Sequence, residues 1–518
     1  MKKTGCVHLV GAGCGDADLI TLRGWNLLRA CDVVIYDDLI APELLEALPD
    51  QVEKRYMGKR SSCHSAPQAE ICAALVDEAR KGRRVVRLKG GDPFLFGRGG
   101  EEILALQAAG IPCEEVPGIP SAIAIPAEAG IPVTHRWVSR SVHIVTAHTA
   151  DTADGLPEHL EALARTSGTL VFLMGLAQLP RIAQRLLGAG MEPQTPAAVL
   201  SGGNAPHPAE VRGTLADIVR RVQEAGVLPP AVIVVGAVAA LHLTESEARP
   251  LSGRTIALTG TTAVTDKLRP ALRALGAQVF AAERAKVRVL PLPSLPPVLN
   301  SGKPCWLVFT SANGVEVFFS HLCRWGVDLR RLHTCGFAVI GAATKAALWA
   351  HGIQADLCPD TYTSEALAGC LTAQVPLDAE ILLLRSRQGN PALFQALARH
   401  FSVQDIPLYD LESAPVYTRD AERRLETADY LVFSSSSGVQ RFWDRFGQVP
   451  RGVVCVCIGS VTQSALMKRY QGPVLLAPEI SAEGVVQAIL KRESMSEISA
   501  EGETLSRGTA HETRPVRL

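Results

Sequence analysis

The chain has 518 residues, of which 47% are hydrophobic and 20% are charged. This length exceeds one ordinary core and predicts about two to four folded domains, and the hydrophobic content excludes a largely disordered chain. Lys plus Arg and Asp plus Glu both number 52. Because the chain has no net positive charge that would attract nucleic acid or an anionic membrane, we expect neither as a partner. Any anionic ligand must then be held by local clusters of basic residues.

The sequence also shows no pattern of an exported or membrane protein. No apolar run reaches the roughly 18–20 residues that cross a bilayer, and the first residues do not read as a signal peptide. The 13 cysteines are scattered, without the spacing of metal ligands. We therefore expect thiols in the reducing cytoplasm and no bound metal.

Short apolar runs of strand length alternate with amphipathic helical stretches, which predicts an α/β fold throughout the chain. A helix is predicted over 68–80, because its apolar residues recur at helical spacing and Lys81-Gly82 follows as a stop signal. The predicted strands are 7–10, 33–36, 84–88, 142–146, 169–174, 231–236 and 255–258.

A polar segment with Pro250 separates the two halves of the chain. We predict a first region over 1–245 with an internal break near 135–140, a linker over 246–253 and a second region over 254–490. Residues 493–518 are polar and without periodicity, which predicts a disordered tail.

The second half contains an internal repeat. Phe-Thr-Ser-Ala-Asn-Gly-Val at 309–315 is echoed by Phe-Ser-Ser-Ser-Ser-Gly-Val at 433–439, and each copy follows an apolar strand. Each is followed by a second strand and an Ile-Gly turn, at 340–341 and 458–459. Two copies of a strand-turn-helix unit predict two similar α/β lobes with a ligand between them.

Glycine-rich turns dominate the first half. The turn at 11–16 follows a strand, but Asp16 stands where a dinucleotide fingerprint requires glycine, so a nicotinamide site is disfavoured. Five glycines lie between Gly90 and Gly100, with Arg87, Lys89 and Arg98 beside them. Such a loop can approach a ligand closely with its backbone, although a plain glycine-rich surface loop is the simpler alternative.

Further landmarks occur in order, including Tyr-Asp at 36–37, Gly-Lys-Arg at 58–60, Val-Pro-Gly at 116–118 and Gly-Ile-Pro-Val-Thr-His-Arg at 130–136. Over roughly residues 5–245 the sequence resembles the uroporphyrinogen-III C-methyltransferases of the tetrapyrrole methylase group. The resemblance implies a two-domain α/β protein, unlike the Rossmann-like methyltransferases, that forms a homodimer through this half. It also implies that S-adenosyl-L-methionine binds in a cleft between the two domains as methyl donor.

The resemblance carries functional roles to positions of this sequence. It implies Asp37 as general base, Lys59 as proton donor, and Arg60 and Arg98 as cations for the substrate carboxylates. For Asp37, a capping carboxylate at a strand end is the alternative. The implied cofactor contacts are Cys14, Gly90, Gly91, Asp92, Leu95, Pro120, Ser121, Met174 and Gly203.

This sequence departs from the methyltransferase pattern at several positions. Cys14 stands where relatives usually have proline, Pro120 where they have a small residue, and Leu173 where tyrosine is frequent. Asp38 replaces an arginine and removes a cation near an anionic substrate.

From Leu251 to about residue 490 the sequence resembles the uroporphyrinogen-III synthases, on the opening strand, the repeat and Tyr409. The resemblance implies two α/β domains joined by a two-strand connector, with Tyr409 as the candidate acid. Relatives often have arginine where Gly260 stands. Hydroxyls for substrate binding are implied at Thr344, Ser435, Ser436 and Thr462, where ordinary helix N-caps are the alternative.

Together the two resemblances predict a bifunctional lyase and methyltransferase of tetrapyrrole biosynthesis. It would cyclise hydroxymethylbilane to uroporphyrinogen III and methylate that product at C2 and C7, giving precorrin-2 for sirohaem and cobalamin. One alternative is an active methyltransferase whose C-terminal half only binds tetrapyrrole. Another is a non-catalytic two-lobed ligand sensor.

Overall fold

The computed structural model describes residues 4–58, 68–147, 156–203, 205, 208–244, 249–292, 294, 299, 305–418 and 421–508, the last thirteen of these as backbone only. The chain divides between Ala248 and Arg249 into two compact units, with Tyr417–Arg419 grouped with the first. Both units are α/β, which confirms the predicted fold class.

The first unit begins with a parallel sheet in the order β3-β2-β4-β1-β5. Because the strands are parallel, the loops after β1, β2, β4 and β5 all leave the same edge of the sheet. The elements are β1 (Cys6–Gly11), α1 (Leu22–Ala30), β2 (Val33–Tyr36), α2 (Pro42–Glu46), β3 (Glu53–Tyr56), α3 (Gln68–Arg80), β4 (Arg84–Lys89), α4 (Gly99–Ala108), β5 (Cys113–Val116) and α5 (Ser121–Glu128).

A second sheet of the same unit has the order β6-β7-β10-β8-β9, with β6 and β7 parallel and the other pairs antiparallel. Its elements are β6 (Val142–Thr146), α6 (Leu160–Leu163), β7 (Thr169–Leu173), α7 (Leu179–Gly188), β8 (Pro196–Ser201), β9 (Ala209–Thr214), α8 (Ile218–Glu224) and β10 (Val232–Val235).

The second unit contains one continuous sheet in the order β14-β13-β15-β16-β12-β11-β17-β18-β19. Its first elements are β11 (Thr255–Thr261), α9 (Thr262–Ala274), β12 (Gln278–Val289), β13 (Cys305–Phe309), α10 (Ala312–Arg324), β14 (Cys335–Val339), α11 (Ala342–Ala350), α12 (Ser364–Gln374) and β15 (Glu380–Ser386). The chain continues with α13 (Pro391–Leu397), β16 (Ser402–Ala414), α14 (Ala421–Glu426), β17 (Tyr430–Phe433), α15 (Ser436–Phe446), β18 (Val454–Cys457), α16 (Ser460–Met467), β19 (Val474–Leu476) and α17 (Ala482–Gly508).

Two long antiparallel strands join the lobes of the second unit. β12 pairs with β16 from Arg284 opposite Ala414 to Val289 opposite Tyr409. The remaining neighbours in each lobe pair in parallel and are followed by helices. This is the two-lobed arrangement with a two-strand connector that the resemblance implied.

The repeat predicted from the sequence is present as two equivalent strand-turn-helix units. Ser311 caps α10 by accepting the Gly314 N–H, and Ser435 caps α15 by accepting the Gly438 N–H, each at 3.1 Å. In both lobes a second strand is then followed by a glycine, Gly341 or Gly459, that directly precedes the next helix.

The predicted elements agree closely with the structure. The predicted helix over 68–80 has the bounds of α3, which buries Ile71, Leu75 and Ala79 at a spacing of four residues. The predicted strands all correspond to observed ones, with ends that differ by no more than a few residues.

At the C-terminus, α17 continues through residue 493, the first residue of the predicted tail, and its backbone is described to Gly508. Glu493 is buried and accepts hydrogen bonds from the Tyr430 hydroxyl and the Arg254 guanidinium. Polar composition concealed this ion pair, which anchors the helix. Residues 509–518 of the predicted tail lie outside the described residues.

Within the described ranges, no helix is long and apolar enough to span a membrane. The same part of the chain brings together no group of three or more His, Cys, Asp or Glu side chains that could hold a metal ion.

Candidate active sites

Three loops meet backbone to backbone at the carboxyl edge of the first sheet. Gly13 and Gly91 pair as an isolated antiparallel bridge, with N···O distances of 3.3 and 2.7 Å. A Cβ on Gly118 would lie 2.1 Å from the Gly91 carbonyl oxygen, and one on Gly11 would lie 2.5 Å from the Gly118 Cα. Side chains at these positions would separate the loops, so the glycines are required for the close approach.

Gly91 lines a small space between the glycine loop and α5. Its φ is +68°, and a Cβ there would lie 3.7 Å from the Pro120 Cα and 3.9 Å from the Ser121 backbone N. These are ordinary contact distances, so the missing side chain leaves room that a ligand can enter. Gly90 instead packs against Leu39, in the loop that carries Asp37, and a Cβ on Gly90 would lie only 2.6 Å from the Leu39 Cβ.

The Asp92 carboxylate shapes the glycine loop. Its Oδ1 accepts the N–H groups of Phe94 (2.8 Å) and Leu95 (3.1 Å), and its Oδ2 accepts the Gly118 N–H at 3.1 Å. The side chain therefore ties two loops together and leaves backbone atoms to face a ligand. Leu95 is half-buried in the same turn.

A fourth loop, between β8 and β9, reaches the same place from the second sheet. Gly203 has φ +62°, and a Cβ on it would lie 3.2 Å from the Cys14 Sγ and 3.1 Å from the Gly15 N. Burial raises the pKa of the Cys14 thiol to about 12, and the nearby Glu128 carboxylate adds to the shift. Cys14 therefore contributes a neutral, apolar wall.

Met174 follows β7 in a left-handed conformation, with φ 57°, and its side chain is 56% exposed. A non-glycine residue in this region of backbone space is uncommon and occurs often at ligand sites. The structure thus places the predicted cofactor residues on five loops, of which the four that carry Cys14, Gly91, Ser121 and Gly203 are connected by close contacts.

Asp37 directly follows β2 at the same sheet edge, and its side chain is 27% exposed. Its Oδ2 accepts a hydrogen bond from Arg87 Nη2 at 3.1 Å, and its Oδ1 accepts the Leu39 N–H at 3.4 Å. Arg87 and the Leu39 N–H therefore fix the orientation of the carboxylate, which remains partly exposed to solvent.

A buried chain of charges lies behind Asp37. Arg87 is 3% exposed; its Nε donates to Glu102 Oε1 at 3.3 Å, and its Nη1 donates to the carbonyls of Ile35 and Leu88. Lys89 Nζ donates to the same Glu102 oxygen at 3.0 Å. Burial lowers the pKa of Lys89, the positive charge of Arg87 lowers it further, and Glu102 opposes the shift. The alternation of positive and negative side chains offsets part of the cost of burying these groups inside the domain.

The remaining predicted residues of the methyltransferase site do not belong to this buried group of charges. Arg98 forms an exposed ion pair with Glu101, with N···O distances of 2.8 and 2.7 Å. Asp38, which replaces a cation of the family pattern, accepts a hydrogen bond from the Tyr56 hydroxyl. Lys59 and Arg60 lie outside the described residues.

In the second unit, Tyr409 lies on β16 where the two connector strands pair. It is 4% exposed, and its hydroxyl is 2.7 Å from Ser311 Oγ at the start of α10. Burial raises the pKa of the Tyr409 phenol, whereas hydrogen bonds from Ser311 and Asn313 oppose the increase.

The predicted substrate hydroxyls of this unit occupy equivalent places in the two lobes. Thr344 and Thr462 are the third residues of α11 and α16, and their side chains are buried. Ser435 is an N-cap, as the alternative interpretation predicted, and Ser436 is exposed in the first turn of α15. The available ligand donors are therefore backbone N–H groups and Ser436.

Gly260 cannot take the arginine that relatives often have. Its φ is +127°, and a Cβ would lie 2.2 Å from Ser434 Oγ. The Ser434 hydroxyl donates to the Thr259 carbonyl at 2.9 Å and so fills the space.

Comparison with known proteins agrees with this division. Residues 6–219 match the Tetrapyrrole (Corrin/Porphyrin) Methylases, and residues 259–487 match Uroporphyrinogen-III synthase HemD. Porphyrin biosynthesis protein HemD of Ruminiclostridium josui is 32% identical over 498 residues, which are 94% of this chain and 98% of that relative. The chain belongs to the fused tetrapyrrole methylase and uroporphyrinogen-III synthase family.

Two further relatives match the methylase half. A uroporphyrinogen-III C-methyltransferase of Methanocaldococcus jannaschii is 47% identical over 236 residues, covering 45% of this chain and 97% of that relative. A siroheme synthase of Pseudomonas fluorescens (strain Pf0-1) is 48% identical over 242 residues, covering 47% of this chain and 52% of that relative. The chain is thus a bifunctional enzyme of tetrapyrrole biosynthesis, with a uroporphyrinogen-III C-methyltransferase domain and a uroporphyrinogen-III synthase domain.

Sequence reasoning missed two members of these sites. Glu102 was one of two consecutive glutamates after the glycine loop, and only its burial distinguishes it from Glu101. Ser311 belongs to the repeated motif, but the motif alone does not show that it contacts Tyr409. A charged residue within a buried strand, such as Arg87, was the one available signal for the chain behind Asp37.

Proposed function

We propose that the enzyme cyclises hydroxymethylbilane to uroporphyrinogen III and then methylates C2 and C7 to give precorrin-2, the precursor for sirohaem and cobalamin. The observation that carries the methylation step is the meeting of four glycine-containing loops beside an oriented carboxylate, Asp37. Family membership supports the order of the two reactions, because the synthase product is the methyltransferase substrate.

The methyl donor is S-adenosyl-L-methionine, which supplies an electrophilic methyl group when it is bound. The residues present fit such a ligand: Gly91 leaves space beside Pro120 and Ser121, and Gly203 lets the loop after β8 approach Cys14 and Gly15 closely. Cys14, Gly90, Leu95, Pro120, Ser121 and Met174 would complete the walls, and Asp92 would hold the loops in place.

The Asp37 carboxylate would act on the substrate. Methylation of a pyrrole carbon generates a cationic ring, which a nearby carboxylate stabilises until a proton leaves. Asp37 can then accept that proton, since Arg87 engages its Oδ2 and leaves Oδ1 bound only through a 3.4 Å contact to a backbone N–H. Lys59 as proton donor and Arg60 and Arg98 as partners for substrate carboxylates belong to the same proposal.

In the synthase half, Tyr409 would help the hydroxyl of hydroxymethylbilane to leave as water. Anionic side chains of the substrate would bind at the starts of the repeated helices, through the Ser436 hydroxyl and the backbone N–H groups at Ser435, Thr344 and Thr462. We infer a cytoplasmic enzyme, in keeping with the free thiols of the described cysteines, and a homodimer through the methyltransferase half.

One coupled assay tests the proposal. Hydroxymethylbilane supplied without methyl donor should give the type III isomer rather than the spontaneous type I product. Addition of S-adenosyl-L-methionine should then give precorrin-2, and Asp37→Ala should depress only that second step. Exclusive type I product would leave the alternative, a methyltransferase with a non-catalytic tetrapyrrole-binding half. Absence of both reactions would favour a ligand sensor.

A further inference from the structure

We propose that Ser311 is a positioning residue of the synthase, which donates a hydrogen bond to the Tyr409 oxygen so that the phenol proton is free for the leaving hydroxyl. The inference deepens the proposed function and rests on Tyr409 as the acid. It adds one residue, the N-cap of α10, that neither the repeat nor the family match assigns.

The backbone holds Tyr409 in place from both sides. On one side its carbonyl accepts the Arg387 N–H at 2.9 Å, and on the other the neighbouring Leu408 carbonyl accepts the Leu290 N–H at 2.9 Å. The register between β15 and β16 shifts between Arg385 and Ser386, directly beside Tyr409. Such an irregularity redirects a side chain, and here it brings the phenol to the end of β13.

Ser311 has the hydrogen-bonding capacity that the proposal needs. Its Oγ accepts the Gly314 N–H at 3.1 Å and lies 2.7 Å from the Tyr409 hydroxyl. A hydroxyl has one proton and two lone pairs, so after accepting from Gly314 it can still donate its own proton to the phenol oxygen. A chain of bonds then runs from the α10 backbone through Ser311 to Tyr409.

The hydrogen bond with Ser311 also affects the acidity of the phenol. Burial raises the pKa of Tyr409, and the bond with Ser311, at 2.7 Å, opposes that increase. A donor lowers the pKa of a phenol because it stabilises the ionised form. A Ser311 proton directed at the Tyr409 oxygen therefore leaves the phenol proton free for another acceptor and stabilises the phenolate that forms when that proton leaves.

The reaction balances with these groups alone. The C–O bond of the hydroxymethyl group breaks, the Tyr409 proton joins the departing oxygen, and water leaves. The substrate becomes an azafulvene cation, and Tyr409 becomes a phenolate that accepts a hydrogen bond from Ser311. The proton lost from the substrate at ring closure restores the phenol, so no other reactant is needed.

The equivalent serine of the other lobe shows that capping alone does not explain Ser311. Ser435 caps α15 through the Gly438 N–H at the same 3.1 Å, and its second neighbour is the Ser437 hydroxyl at 3.2 Å. The cap is therefore common to both copies of the repeat, whereas the contact with a buried tyrosine is specific to Ser311.

The test compares Ser311→Ala, Ser311→Thr, Tyr409→Phe and the double variant S311A/Y409F in the full chain, with hydroxymethylbilane as substrate. Type III isomer is measured against the spontaneous type I product. We expect S311A to lower kcat about tenfold or more with little change in KM, since loss of general-acid catalysis costs about 10²–10⁴-fold. S311T keeps the hydroxyl and should retain most of the activity.

The decisive result is the double variant. If Ser311 acts through Tyr409, S311A should have no further effect once Tyr409 is phenylalanine, because interacting residues are not additive. Thr363→Ala is the matched control: Thr363 caps α12 in the same lobe through the Ala366 N–H at 3.2 Å, and its loss should leave kcat near that of the wild type.

Three outcomes would overturn the inference: multiplying effects in the double variant, an inactive S311T that is still folded, or a fully active Tyr409→Phe. If T363A were as slow as S311A, loss of a helix cap would be enough to explain the effect of S311A, and the inference would also fail. Failure of the wild type to form any type III isomer is a different result, because it would refute the proposed synthase function itself.

Discussion

Arg87 on β4 donates to the Asp37 carboxylate at 3.1 Å, and Arg84 on the same strand pairs with Asp32 at 3.1 Å. The two aspartates stand immediately after and immediately before β2, so similar ion pairs connect β4 to both ends of one strand. They differ in environment: Arg87 is 3% exposed and Arg84 is 58% exposed. The first pair therefore joins the proposed base, Asp37, to a buried arginine. The second pair lies at the opposite, solvated end of the sheet.

This arrangement predicts that Arg87→Lys lowers kcat of methylation about tenfold or more, while Arg84→Lys does not. Lysine keeps the charge but cannot reach Asp37, Glu102 and two backbone carbonyls at once, so the Asp37 carboxylate loses its orientation. Methyl transfer from S-adenosyl-L-methionine to uroporphyrinogen III would be followed in both variants. Equal losses in R87K and R84K would contradict the prediction.

Gly91→Ala should weaken S-adenosyl-L-methionine binding, whereas Gly110→Ala should not. The two glycines have nearly the same φ, +68° and +69°, so alanine costs about 1–2 kcal/mol of backbone strain at either position. Gly110 has nothing within 4 Å of its Cβ position and follows α4, but Gly91 faces the space beside Pro120 and Ser121.

Titration calorimetry of both variants separates strain from ligand contact, and thermal melting checks that their stabilities fall by similar amounts. A normal dissociation constant for G91A would place the ligand elsewhere than beside Gly91.

Glu161→Gln should remove part of the acid sensitivity of the methyltransferase half. Hydrogen bonds from Arg185, at 2.5 and 2.7 Å, lower the pKa of the Glu161 carboxyl from 4.5 to about 2. A lowered pKa stabilises the folded state at pH above the ordinary value, and that contribution is lost as pH falls from about 4.5 to about 2. The effect is small, because the Glu161 side chain is 44% exposed.

The melting temperatures of the wild type and E161Q should therefore differ at pH 6 and converge near pH 2. Glu158→Gln is the control, since Glu158 is exposed just before α6. A difference between wild type and E161Q that stays constant over this pH range would exclude the ion pair as its source.

Glu493→Ala should destabilise the synthase half by about 1–3 kcal/mol, because it leaves the buried Tyr430 hydroxyl without its acceptor. Arg254 donates to Glu493 at 3.0 and 2.7 Å, and the Tyr430 hydroxyl donates to it as well. Lys491→Ala changes an exposed residue on the same helix and should shift stability by no more than about 0.5 kcal/mol. Scanning calorimetry of the full chain compares the two; equal shifts would mean that Glu493 does not anchor α17.

Local pattern was enough to predict most of the architecture. The apolar runs at 33–36 and 142–146 have the same bounds as β2 and β6, because strand periodicity depends on neighbours within a few residues. The repeated motif likewise predicted two lobes, since each copy contains its own strand, cap and helix. Composition does not show the contact that holds Glu493 in α17, because its partner Arg254 is 239 residues away in the chain.

The sequence was enough to name candidate site residues, but it did not show which other residues contact them. Asp37 and Tyr409 follow from the sequence, as members of motifs that resemble known families. Arg87 behind Asp37 is 50 residues away, and Ser311 beside Tyr409 is 98 residues away. Such contacts depend on strand order and register.

By itself, the amino-acid sequence determined the α/β elements, the two-part organisation, the duplicated lobes and the glycine loops, since all of these are written in short-range patterns of polarity and size. Only the tertiary structure decided which charges are buried behind Asp37, which serine contacts Tyr409 and that Ser434 excludes a side chain at Gly260. The reason is physical: burial and hydrogen-bond partnership arise when distant segments pack together, and no local pattern specifies which segments will meet.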